Sequence, residues 1–134
     1  MLSRVLALVL CASSVGTAVA KECWVLSSLK GLSAASVDKW SFSSDGFSNP
    51  MVLCFNDDGT GSVAGDDTPL TRFGTSTLLG FVKNEGIELS ESYQIVRKAG
   101  TVLFIKSRIG TATVLPGAPD IVGAFVGKAV RIPR

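Results

Sequence analysis

The chain has no histidine among its 134 residues. That removes the side chain most often recruited for proton transfer near neutral pH, and the commonest metal ligand with it. Cysteine is scarce too: Cys11, Cys23 and Cys54 are the whole supply. None of them forms a CxxC pair, so neither a zinc site nor a dithiol redox motif is indicated. Downstream of residue 20, no apolar run reaches the ~18–20 residues of a membrane-spanning helix. Charge of one sign is lacking as well, with 13 Lys+Arg against 11 Asp+Glu. Without a large basic field the chain does not read as a dedicated nucleic-acid binder. A phosphate-binding loop is missing, because the stretch Gly74 to Gly80 carries no GK[ST] and leads into no helix.

What is present begins at the N-terminus. Met1-Leu2-Ser3-Arg4 is a short positive region, and an apolar run from Val5 continues with small residues to Ala20. Ala18-Val19-Ala20 is the small-x-small pattern of a signal-peptidase site, so residues 1–20 read as a signal peptide. The mature chain is then expected to begin at Lys21 and to form a single domain over residues 21–134. A lipoprotein signal at Cys11 is disfavoured, because Leu10 before it is not small. The expected compartment is extracellular or periplasmic, with no stable membrane insertion once the signal is removed. Cys23 and Cys54 are left as the only pair in an exported chain, and a disulfide between them is expected.

The mature sequence reads as β throughout, in short apolar or alternating runs separated by Gly, Asn, Asp and Ser. Cys23-Trp24-Val25-Leu26 opens the first strand, with Leu29 and Leu32 extending its apolar positions. Trp40-Ser41-Phe42 alternates and ends in a turn signal at Ser44-Asp45-Gly46. Met51 to Phe55 is a continuous apolar strand. Asn56-Asp57-Asp58-Gly59 ends it, and Thr60 to Ala64 is its expected hairpin partner. Leu78 to Val82 is a further buried run. Asp120 is expected to cap a short helix near Asp120–Val126, with Ile121, Val122, Phe125 and Val126 on one stripe. Lys128 to Ile132 reads as a last strand.

The segment Ile87 to Ile109 predicts a β-hairpin. A three-residue loop, Lys98-Ala99-Gly100, pairs Ile95 with Leu103, Tyr93 with Ile105 and Leu89 with Ile109. Gly100 then falls at the left-handed position of the loop. One face becomes mainly apolar: Ile87, Leu89, Tyr93, Ile95, Leu103, Ile105 and Ile109. Glu91 is the exception on it, opposite Ser107, where a carboxylate fits either the rim of a barrel or a polar pocket. The rim is the plainer reading.

Seven or eight short strands in this length predict an all-β fold. The expected architecture is a small antiparallel up-and-down barrel, lipocalin-like in layout, with one short helix near the C-terminus. An immunoglobulin-like sandwich is the second choice. The aspartates between Asn56 and Asp67 resemble a calcium loop, but they lack the twelve-residue spacing and terminal Glu, and such clusters are also ordinary turns. No nucleophile is paired with a base, so an enzyme is not expected, and no cofactor is implied. The first functional expectation is an exported binding module for a small apolar or amphipathic ligand, with Trp24, Tyr93 and Glu91 as candidate ligand-binding residues. Large aromatics such as Trp24 and Tyr93 more often simply close a core. The alternative is a protein-interaction module, such as an inhibitor of a secreted enzyme or an envelope-associated structural protein.

Overall fold

The structure, a computed structural model, describes residues 21–111 and 115–134. The signal peptide expected at residues 1–20 lies outside them. Nine strands follow in order: β1 (Lys21–Ala35), β2 (Ser43–Phe47), β3 (Met51–Asn56), β4 (Thr60–Val63), β5 (Asp66–Phe73), β6 (Thr77–Asn84), β7 (Ile87–Val96), β8 (Thr101–Ile109) and β9 (Ile121–Arg131). Every neighbouring pair is antiparallel, and β9 returns to pair with β1. The result is a closed eight-stranded barrel plus one extra strand. That strand, β2, sits on the same edge of β1 as β3: Lys21–Leu26 pair with β3, and Leu29–Ser33 pair with β2.

Closure follows from the alternation of side chains. Period-2 strands send one set of residues inward, and a closed wall leaves the eight barrel strands no unpaired edge to protect. The inward set includes Trp24, Leu26, Leu53, Phe55, Leu70, Leu78, Tyr93, Ile95, Val102 and Phe104, all buried. In β1 the register shifts between Ser27 and Lys30, and Ser28 adopts φ 53°. This bulge flips the alternation, so Leu26 and Leu29 both face inward.

Cys23 lies directly opposite Cys54 in the β1–β3 ladder, and the two form a disulfide on the outer side of the wall. The Asn56–Gly59 turn forms as expected, and so does the left-handed conformation of Gly100, at φ 60°. Leu78–Val82 is a strand but not a buried run, since Phe81 in it is 69% exposed. Asp58 and Asp66 accept hydrogen bonds from the backbone N–H groups of Thr60 and Thr68, two residues on in each case. Both carboxylates are thus engaged in holding tight turns.

Three further expectations are corrected. There is no helix at Asp120–Val126: the segment is the start of β9. Its alternation places Gly123 and Phe125 inside, and Ile121 sits opposite Ala35 of β1. Asp120 instead ties loops together. Its carboxylate accepts from the Thr111 N–H, its carbonyl from the Ser36 N–H, and its own N–H donates to Ser36 Oγ. The alternating run Trp40–Phe42 is not a strand, Trp40 lying in a left-handed turn at φ 61°, and Ser44-Asp45-Gly46 is strand β2 rather than a turn. A Cβ on Gly46 would lie 2.6 Å from the Leu29 carbonyl oxygen, so glycine permits this close pairing.

The third correction concerns the β7–β8 hairpin. Its loop has four residues, Arg97 to Gly100, and the pairs are Ile95 with Val102, Tyr93 with Phe104, and Glu91 with Lys106. A one-residue slip exchanges the faces of a strand. Val102, Phe104, Lys106 and Arg108 therefore point inward, and Leu103, Ile105 and Ile109 point out. Two forces set this register. Phe104 stacks between Tyr93 (centroids 4.6 Å apart) and Phe125 (5.8 Å). Arg97 closes one end of the barrel, with its guanidinium 5.6 Å from the Trp24 ring and 5.8 Å from the Phe55 ring. It also pairs with Glu22, which accepts a hydrogen bond from the Trp24 indole at 2.7 Å.

Candidate functional site

The two ends of the barrel differ. The end near Trp24 is shut by the Arg97–Glu22 pair over a packed apolar layer. The opposite end begins as an aromatic floor. Tyr93, Phe104 and Phe125 run across the interior, and Phe47 from β2 closes the row at 4.9 Å from Phe125 and 5.6 Å from Phe104. The register fixes what stands above that floor. The next inward layer is Gly80, Glu91, Lys106, Gly123 and Ser33, read across β6, β7, β8, β9 and β1. Two glycines and a serine fill little space. A Cβ on Gly123 would lie 2.7 Å from the Phe125 ring, so the layer stays thin because the ring beneath it needs the room. The cavity that remains has a volume of about 170 Å³ and is lined by Ser33, Asp45, Phe47, Lys106, Gly123 and Phe125, among others.

Glu91 is 6% exposed, so it sits inside the barrel and not at the rim. It accepts a hydrogen bond from the Tyr93 hydroxyl at 2.8 Å, and the Lys106 ammonium stands 4.0 Å from its other oxygen. Burial pushes the Tyr93 phenol far above its ordinary range, and the Glu91 charge and hydrogen bond push it further. Both effects favour the neutral phenol, which donates to Glu91. The Asp66 carboxyl is held below its ordinary value by hydrogen bonds from Thr68, and the charge of Lys106 adds to that. Lys106 thus faces acidic groups on two walls.

No protein-family model, no curated protein and no solved structure matches this chain.

Of the three candidate ligand-binding residues, the structure brings two together. Tyr93 and Glu91 form one hydrogen-bonded unit beneath the open mouth. Trp24 is at the closed end, buried in the core and covered by Arg97. None of the three lines the cavity itself; Lys106, which faces Glu91, does. Lys106, Phe47 and Phe125 were not singled out from the sequence. The alternation of Lys106 with Val102 and Phe104 is visible there, but Leu103, Ile105 and Ile109 offer an equally apolar alternative.

A second concavity lies outside the barrel. On the outer wall of β6, β7 and β8, Phe81 pairs across to Ser90 and Ser90 to Ser107. The two serine hydroxyls share a hydrogen bond at 2.7 Å. They floor a groove of about 430 Å³ walled by Phe81 and Ile109, with Lys83 and Glu88 at its rim.

Proposed function

We propose that the protein is an exported binding module that holds a compact amphipathic ligand at the open mouth of the barrel. The observation that carries this is the buried Glu91–Lys106 pair above the aromatic floor. A buried ion pair is seldom better for stability than apolar residues of the same size, so a β-barrel does not need one in its interior. Charged groups set above an aromatic floor at the mouth of a barrel are a candidate site on physical grounds. The apolar interior toward Trp24 is packed, so the ligand is small. A cavity on the order of 150 Å³ admits a benzene-sized molecule. Phe47 and Phe125 offer its apolar part a surface, and Lys106 offers a donor to an oxygen acceptor. The disulfide and the N-terminal pattern of the sequence support an extracellular or periplasmic setting.

Calorimetric titration with benzoate and with hexanoate tests the reading. Saturable binding is expected, and it should be lost in the Glu91→Leu/Lys106→Met double variant with the fold intact. No saturable heat up to millimolar ligand, or undiminished binding in that variant, would overturn it.

A further inference from the structure

The corrected register of β8 has a consequence on the outside of the barrel. Reading across β6, β7, β8 and β9, one outer row is Phe81, Ser90, Ser107 and Val122, and it ends at Ala34 of β1, which the chain itself buries. The next is Leu79, Ser92, Ile105, Ala124 and Leu32. A third is Thr77, Gln94, Leu103 and Val126, reaching a charge only at Lys30. Within these rows Phe81 is 69% exposed, and Leu32, Ile105 and Val126 are each more than half exposed. Ile109, beside the first row, is 52% exposed. An uncharged outer wall of this breadth, carrying protruding aliphatic and aromatic side chains, is the mark of a covered surface.

We propose that this wall is the interface of a two-fold dimer, in which Phe81 of each copy inserts into the groove above Ser90 and Ser107 of the other. Two features favour a second copy of this chain over an unlike partner. A protruding ring and a groove wide enough to accept it lie side by side on one face, and an isologous interface needs that self-complementarity. The rim charges are of both signs: Lys83 lies opposite Glu88 on neighbouring strands, so a two-fold axis brings each lysine toward the other copy's glutamate. The area also suffices. Mutual insertion of two Phe81 rings buries about 600 Å² counting both surfaces, and the flanking Ile105, Ile109 and Val126 raise this to roughly 1,000 Å², the lower bound for a specific interface.

The proposal is independent of the mouth site, which opens at the end of the barrel. It is tested by sedimentation equilibrium on the exported chain with its disulfide intact, between about 1 and 200 µM. A monomer–dimer equilibrium is expected. Phe81→Glu should weaken it by at least about 30-fold, as loss of a central aromatic contact does. Far-UV circular dichroism verifies that the variant folds, and Ile105→Lys on the same wall serves as the second variant with the same expected direction. A protein that stays monomeric over the whole range overturns the proposal. So does a dimer indifferent to both substitutions, or a monomer that instead floats with phosphatidylcholine vesicles.

Discussion

Replacing Lys106 by methionine isolates the cost of the buried carboxylate. The Glu91 side chain is 4% exposed and that of Lys106 27% exposed, with 4.0 Å between their charged atoms. At an effective dielectric of about 20, two charges at that distance attract by about 4 kcal/mol. Breaking a fully buried pair costs about 3–5 kcal/mol, because one charge is left without its partner. Lys106 stands partly in the open mouth, so Lys106→Met should cost less, about 2–3 kcal/mol. Adding Glu91→Leu removes the stranded charge and should restore most of that stability. One defect remains, the Tyr93 hydroxyl, whose acceptor at 2.8 Å has gone. A buried hydroxyl without a partner costs about 1–3 kcal/mol. The triple variant with Tyr93→Phe should therefore match or exceed the parent. Urea unfolding at pH 7 reads the series, and Lys106→Met should lower the midpoint by about 1–2 M at ordinary m-values. If the double variant is no more stable than Lys106→Met, the buried carboxylate is not the source of the cost and the reasoning fails.

Replacing Cys23 and Cys54 by alanine should cost roughly 2–4 kcal/mol, since the bridge closes a sequence separation of 31 residues; unfolding with and without reductant measures it, and two free thiols in the native protein would contradict the assignment. The closed end makes a prediction about acid. Burial alone would raise the Glu22 carboxyl, but hydrogen bonds from Trp24 and Arg97, with the charges of Arg97 and Arg131, outweigh it and hold the group below its ordinary value. Its contribution is therefore full above the unfolded-state value near 4.3 and is lost as pH falls through the folded one. The stability gap between parent and Glu22→Gln should close on acidification below about pH 4, and a gap that stays constant down to pH 2.5 would refute the role.

Much of the fold was legible because most strands announce themselves on one face. The turn at Asn56–Gly59 and the cross-strand cysteines needed only local chemistry. The β8 register was not legible, because Leu103, Ile105 and Ile109 are as apolar as Val102 and Phe104. A barrel wall with apolar residues on both faces gives alternation nothing to choose between. The choice was made by the stacking of Phe104 on Tyr93 and Phe125 and by Arg97, whose partner Glu22 lies 75 residues away in sequence. β9 was misread at its start for a related reason. Gly123 has no side chain to reveal a face, and the remaining apolar residues fit a helical stripe equally well. Of the site, Tyr93 and Glu91 were visible as an oddity on one strand. Their meeting with Lys106 depended on that same register.

The ladder between β1 and β9 has ten register pairs, and it joins the first described strand to the last. No partial chain emerging N-terminus first can complete the cylinder. Until Ile121–Arg131 arrives, β1 and β8 each wait with a bare backbone flank. The unfinished chain is therefore vulnerable to chaperones, proteases and its own neighbours until that strand arrives. The Cys23–Cys54 staple, set early in the described chain, holds β1 against β3 in register while the closing strand is still on its way.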